Sequence, residues 1–241
     1  MKTYRADLHI HTVLSPCGDL EMSPANIIRI AKEKGLDIIG ITDHNSTRQA
    51  KIIRDYGAEN GIFVLTGAEV TTSEEAHCLA FLPGDKELDA FQLYLDEHLP
   101  MIKNNPDKFG YQVVVDVNDE ILYQEEKLLI PGLNQSVEEV CKKVKELNGI
   151  FIPAHIDKKM YSILSQLGFI PKKLAYDALE LSRHTNYTDF VAVHSYLKNV
   201  PFIQSSDSHY PNEIGSIYTE LKMNNLSFEN ILCAVRSLIQ N

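Results

Sequence analysis

Five apolar runs of this chain each end in side chains that bind cations, and that repetition restricts the possible folds more than any other feature. Asp7, His9 and His11 alternate through the run Tyr4–His11, and Asp43 and His44 close the run that begins at Leu36. Glu69 comes near the end of Ile62–Val70, His155 ends the run from Ile150, and Asp207 and His209 follow Pro201–Ser206. Residues two apart share one face of a strand, so Asp7, His9 and His11 are expected to point the same way. Two further apolar runs, His77–Leu82 and Ala178–Leu181, complete a set of seven strand candidates, of which His77 begins its run instead of ending it.

Amphipathic stretches separate these runs. Ser23, Pro24, apolar Ile27, Ile28 and Ile30, and then Gly35 spell a helix with its start and stop signals. Helical patterns also cover Asn45–Asn60, Leu88–Asn104, Ser136–Leu147, Asn186–Leu197 and Ser227–Ile239. Continuous apolar strands alternating with helices predict a parallel sheet covered by helices, and about seven such units in 241 residues predict a single α/β domain built as a distorted (βα)7 TIM-like barrel. In that architecture the C-terminal strand ends converge on one mouth, where active sites are built. His77 reaches the same mouth if its strand is short or runs antiparallel to its neighbours. The stretch 110–130 breaks the rhythm: two β-rich segments flank Asn118-Asp119, as expected of an inserted hairpin.

Packing so many carboxylates and imidazoles together costs several kcal/mol for each uncompensated charge. Bound cations remove that penalty. An imidazole and carboxylate donor set suits divalent zinc, manganese or iron, and shared carboxylates imply more than one ion. A two-metal arrangement generates hydroxide near neutral pH and clamps the attacking and leaving oxygens of a phosphate ester. No glycine-rich phosphate loop, GxSxG elbow or cysteine-centred triad offers another chemistry. The four cysteines, Cys17, Cys78, Cys141 and Cys233, make no CxxC pair and read as reduced thiols. Arg183 and His184 follow the Ala178–Leu181 run at the same mouth, as a phosphate-binding guanidinium and a general acid. Lys158 and Lys159 are weaker candidates, and His98 and His194, inside helical patterns, read as structural.

The segments Asp7-Leu-His-Ile-His-Thr12, Thr42-Asp-His44, Gly67-Ala-Glu69, Pro153-Ala-His155 and Ser206-Asp-Ser-His209 together resemble the motifs of the polymerase and histidinol phosphatase (PHP) family, in the family's order. The resemblance implies a trinuclear, metal-dependent phosphoesterase. It implies one ion on His9, His11, Glu69 and Asp207, a second on Glu69, His77 and His155, and a third on His44 and His209 with a residue of the loop after His11. Asp7 and Asp43 then orient ligands or handle protons. The loop reads Ser15-Pro-Cys-Gly-Asp19 where many members have Ser-Asp-Gly; Asp19 is the expected third ligand, with Cys17 the softer alternative.

A net charge of -10 opposes long nucleic acid as a partner. The substrate class expected is a small phosphorylated metabolite, a nucleotide or a short oligonucleotide, with Tyr111, Tyr123, Tyr161 and Phe169 available for stacking. An amidohydrolase acting on C–N bonds and a non-catalytic metal-binding module are the competing readings. No apolar run approaches the roughly 20 residues that cross a bilayer, and the charged opening residues lack a signal-peptide pattern, so a cytoplasmic location is expected.

Overall fold

The computed structural model describes residues 1–239; the last two residues of the 1–241 unit lie outside it. The strands are β1 (Lys2–Ile10), β2 (Ile38–Ile41), β3 (Phe63–Thr71), β4 (His77–Leu82), β5 (Val113–Val115), β6 (Ile121–Gln124), β7 (Ile150–Pro153), β8 (Leu179–Leu181), β9 (Phe202–Gln204) and β10 (Thr219–Met223). The helices are α1 (Pro24–Glu33), α2 (Ala50–Glu59), α3 (Asp85–His98), α4 (Pro106–Phe109), α5 (Val137–Glu146), α6 (Ile163–Leu167), α7 (Tyr187–Val193) and α8 (Phe228–Arg236). No described helix is long and apolar enough to cross a membrane.

One curled sheet holds six strands in the order β10-β1-β2-β3-β4-β7, and β8 and β9 form a separate parallel pair. β1, β2 and β3 run parallel, whereas β4 is antiparallel to both β3 and β7. Only Thr72–Ala76 separate β3 from β4, too few residues for the crossover that a parallel neighbour needs. The reversal carries His77, first residue of β4, to the end of the sheet where the other strands finish. Backbone bonds from Asp177 N to Phe151 O and from Ile156 N to Glu180 O, both 2.9 Å, attach β8 to β7. His11 N to Ser208 O, 3.0 Å, attaches the segment after β9 to β1. β5 and β6 pair antiparallel, with a left-handed Asp119 at the tip.

Both faces of the sheet are buried, which explains the continuous apolar runs. Ile39 and Ile41 pack under Ile27, Ile28 and Ala31 of α1 and Ile53 of α2. On the inner side Ala6, Leu8, Ile38, Leu65, Leu79, Phe81, Ile152 and Ile203 form a second cluster, closed by Phe228, Ile231 and Val235 of α8. The Phe81 ring fits because two strand residues beside it have no side chain: a Cβ on Gly40 or Gly67 would lie 2.9 Å from the ring and 2.5 or 2.0 Å from a neighbouring carbonyl oxygen.

Three local outcomes depart from the periodic reading. In β1, Ala6 and Asp7 pair with Ile38 and Ile39, but Ile10 pairs with Ile41, so the strand carries one extra residue in a bulge. The two-residue period breaks there. Leu8 joins Ala6 in the inner cluster, Ile10 turns to α1, and Asp7 parts from the two histidines. The helix expected from Asn45 begins only at Ala50. Asn45 is held left-handed at φ 46°, its amide donating to Leu129 O (2.7 Å) and Pro131 O (3.0 Å). The edge strand β10, antiparallel to β1, had no counterpart in the pattern.

Candidate metal centre

Glu69, 1% exposed, is the hub of the strand ends. Its Oε1 lies 2.9 Å from His77 Nδ1, 3.0 Å from His155 Nε2 and 3.4 Å from His9 Nε2. Its Oε2 lies 3.2 Å from His44 Nδ1 and 3.3 Å from His11 Nε2. Asp207 Oδ1 stands 3.3 Å from His9 Nε2 and 3.5 Å from His11 Nε2, and those two imidazole nitrogens face each other at 3.2 Å. β1, β2, β3, β4, β7 and β9 thus deliver side chains to one point. His155 and Asp207 adopt left-handed backbone, φ 30° and 51°, where glycine would be the unstrained choice. Such outliers gather at functional sites, where the side chain is needed despite the strain.

The outer partners fix which nitrogen faces the centre. His9 Nδ1 meets both oxygens of Glu180, at 3.0 and 3.2 Å, and Glu180 also accepts from His155 N at 2.9 Å. His11 Nδ1 meets Ser15 Oγ at 3.0 Å, and Ser15 Oγ donates to Asp43 Oδ1 at 2.7 Å. Both chains leave Nε2 free on the inner side, as an imidazole–carboxylate pair does around a metal ligand. Asp43 also accepts from Thr12 N (2.7 Å) and Thr12 Oγ1 (2.8 Å) and is 1% exposed, so it acts through Ser15 by holding the loop and His11 in place. Asp7 accepts from Ser206 N and Gly215 N, tying the Asp207 loop to β1; burial lifts its carboxyl to about 6 despite those bonds.

The charges are strongly coupled. Burial alone would raise Glu69 and Asp207, yet the surrounding imidazoles hold both well below the usual carboxylate range. Burial alone would lower His9, but Glu180, Asp207 and Glu69 together raise it well above the usual value; His11 is raised by Asp207 and Glu69 against the same burial. Burial lowers His44 well below its usual value and, reinforced by His11, takes His209 to about 4.

Divalent ions fit this donor set better than protons. A carboxylate has about four acceptor directions, too few for five imidazoles. His44 Nδ1 and His155 Nδ1 are buried without a hydrogen-bond partner, although His44 Nδ1 is 3.2 Å from a carboxylate oxygen. Ligand bonds of about 2.0–2.2 Å place neighbouring donors on one ion roughly 3–3.5 Å apart, the spacing that surrounds Glu69. His9, His11 and Glu69 form one group able to hold an ion, His44, Glu69 and His77 another, and His11, Cys17, His44 and His209 a third.

Asp19 is in none of these groups. Its Oδ1 accepts from Glu21 N at 2.8 Å, capping its own turn, and the Cys17 thiol is the loop donor grouped with His11, His44 and His209. Arg183 is spoken for by Glu213, at 2.6 Å, and also donates to Ser206 O. It lines a small cavity of about 50 Å³ with His184, Lys158 and Asp207. Lys158, ranked low from sequence, forms an ion pair with Asp207. The main cavity, about 250 Å³, is lined by Cys17, His44, Glu69, His77, His155, Lys158, Tyr161, Asp207 and His209. Tyr161 stacks on His77 with ring centroids 4.9 Å apart. A larger cleft of about 720 Å³ lies along α1 and has no comparable donor group. Glu180 escaped the sequence reading; a glutamate between Leu179 and Leu181 in an apolar strand was the available signal.

Comparison with known proteins places these features. The PHP domain profile matches residues 7–162, and a PHP-associated profile matches residues 197–238. The uncharacterised protein YqxK of Bacillus subtilis is 26% identical over 98% of the chain and 62% of its own length. The lesion-specific endonuclease EndoQ of Pyrococcus furiosus superposes with a TM-score of 0.75 at 19% identity, over 98% of this chain and 56% of that one. A protein of Bifidobacterium adolescentis described as a metal-dependent phosphoesterase gives 0.60 at 19% identity, over 95% and 94%. The chain therefore spans roughly six-tenths of the length of YqxK and EndoQ.

Proposed function

Because the chain belongs to the PHP domain family, we propose that it hydrolyses phosphoesters at a multinuclear metal centre built around Glu69. One observation carries this reading: five imidazoles from four parts of the chain converge on one buried carboxylate. His9, His11, Glu69 and Asp207 would hold one ion, and Glu69, His77 and His155 a second. His44 and His209 are the donors available to a third. Bound divalent ions supply Lewis acidity and a water acidified towards neutral pH.

The protein's own groups do the rest. Glu180 and the Ser15–Asp43 pair hold the His9 and His11 rings with Nε2 inward. Lys158, released from Asp207 when that carboxylate turns to a cation, presents an ammonium to a phosphate oxygen inside the cavity. Arg183 adds a second positive group beside it, and exposed His184 hands a proton to the leaving alkoxide. The 250 Å³ cavity suits a mononucleotide-sized group or one nucleotide of a short oligonucleotide, and Tyr161 at its wall offers a stacking surface.

The test is a substrate panel. Protein stripped with a chelator and reloaded with zinc or manganese is expected to cleave chromogenic phosphomonoesters or diesters, nucleotides or short oligonucleotides, at a rate that falls on stripping. Turnover of an amide panel with no phosphoester cleavage would make the protein a C–N hydrolase. Full metal content with no turnover of either would make it a binding module.

A further inference from the structure

We infer that the third ion is held by a thiolate, Cys17, together with His44 and His209, and is therefore a thiophilic ion of the zinc, iron(II) or cobalt(II) class. The inference rests on the metal-centre reading and specifies one of its ligands. The donor atoms of Cys17, His11, His44 and His209 all lie within 4.8 Å of one another. The rings close in: His11 and His209 stack at 4.1 Å between centroids, and His11 and His44 are 4.6 Å apart. His11 Nε2 has one lone pair, which faces Glu69 and Asp207. Cys17, His44 and His209 thus remain as donors for a further ion, His44 Nδ1 also standing 3.2 Å from Glu69 Oε2.

The loop is built to present the thiol. Ser15 N donates to Thr12 O (3.1 Å), Gly18 N to Ser15 O (2.8 Å) and Val13 N to Met22 O (3.0 Å), closing successive turns. Gly18 allows the fold-back, since a Cβ there would sit 2.2 Å from Thr12 O. Asp19 N donates to His209 O at 2.9 Å, which clamps the loop to the strand end bearing His209. The same clamp leaves the Asp19 side chain to its own turn. Independently, His44 is 7% exposed and its Nδ1 has no hydrogen-bond partner, the mark of a nitrogen awaiting a cation. A zinc–sulfur bond of about 2.3 Å and zinc–nitrogen bonds near 2.0 Å put such donors about 3.5 Å apart, so the group closes by roughly an ångström. Thiolate with imidazole favours zinc or iron over manganese and magnesium.

Cobalt(II) reports the ligand directly. Chelated full-length protein reloaded with cobalt is expected to show a thiolate-to-cobalt charge-transfer band in the near ultraviolet. Cys17→Ser is expected to lose that band and to bind the last ion at least about tenfold more weakly, whereas Asp19→Asn keeps both. Cys17→Asp is expected to keep the ion without the band and to gain preference for manganese over zinc. Cobalt bound in full without the band, or a band that survives Cys17→Ser, would overturn the Cys17 assignment and leave the Glu69 centre standing. Loss of the ion in Asp19→Asn but not in Cys17→Ser would do the same. No cobalt uptake at all would overturn the metal-centre reading itself.

Discussion

Glu69→Gln should abolish turnover while leaving the fold in place. The amide keeps the size of the side chain but removes the charge on which His9, His11, His44, His77 and His155 converge. It also cannot bridge two cations with equal strength, so both sites that share it weaken together. Removing one well-placed electrostatic group from an active site commonly costs 10²–10³ in rate; a bridging ligand should cost at least about 10³. Metal content should fall by more than one equivalent per chain, with far-ultraviolet circular dichroism unchanged. A variant that kept its metal and lost less than tenfold in rate would mean that Glu69 is a packing residue.

Chelation should lower the melting temperature markedly, and by less as the pH falls. An ion present at a thousand times its dissociation constant stabilises the folded state by about 4 kcal/mol. At roughly 2–4 °C per kcal/mol for a chain of this size, one ion gives about 8–16 °C, and further ions add to it. The pH dependence follows from the raised pKa values of His9 and His11. The neighbouring carboxylates, outweighing burial, hold protons on both rings to higher pH than on a free imidazole, and a cation must displace those protons. Affinity therefore rises with pH up to the raised values and declines below them. Scanning calorimetry with and without chelator at pH 8 and pH 5.5 should show the larger gap at pH 8. An equal gap at both would show that no imidazole is deprotonated on binding.

Much of the candidate site was legible because the side chains able to hold cations are the most conspicuous residue types. His9, His11, His44, Glu69, His77, His155, Asp207 and His209 stood at strand ends, and the fold brings all eight to one place. The antiparallel course of β4 brings His77 in, through a connection too short for a crossover. What was illegible depended on backbone detail. The bulge in β1 separates Asp7 from His9 and His11, although strict alternation would align all three. Asp19 matched the expected hardness of the donors, but its carboxylate caps its own turn at Glu21 N, and exposed Cys17 is the loop residue whose thiol stands beside His11, His44 and His209. Glu180 was hidden for the opposite reason: it sits within an apolar strand, and only the partner it holds, His9, reveals its purpose. Arg183 stood at the correct end of its strand, but its strongest bond is to Glu213, a carboxylate 30 residues away that periodicity could not associate with it.

Anomalous diffraction from crystals loaded with zinc, recorded on both sides of its absorption edge, tests the central claim most directly. Peaks are expected within about 2.0–2.3 Å of His9 Nε2 and His11 Nε2 and of His77 Nδ1 and His155 Nε2, with Glu69 between them. Zinc found only on surface side chains, with the Glu69 cluster still closed on itself by hydrogen bonds, would contradict the account.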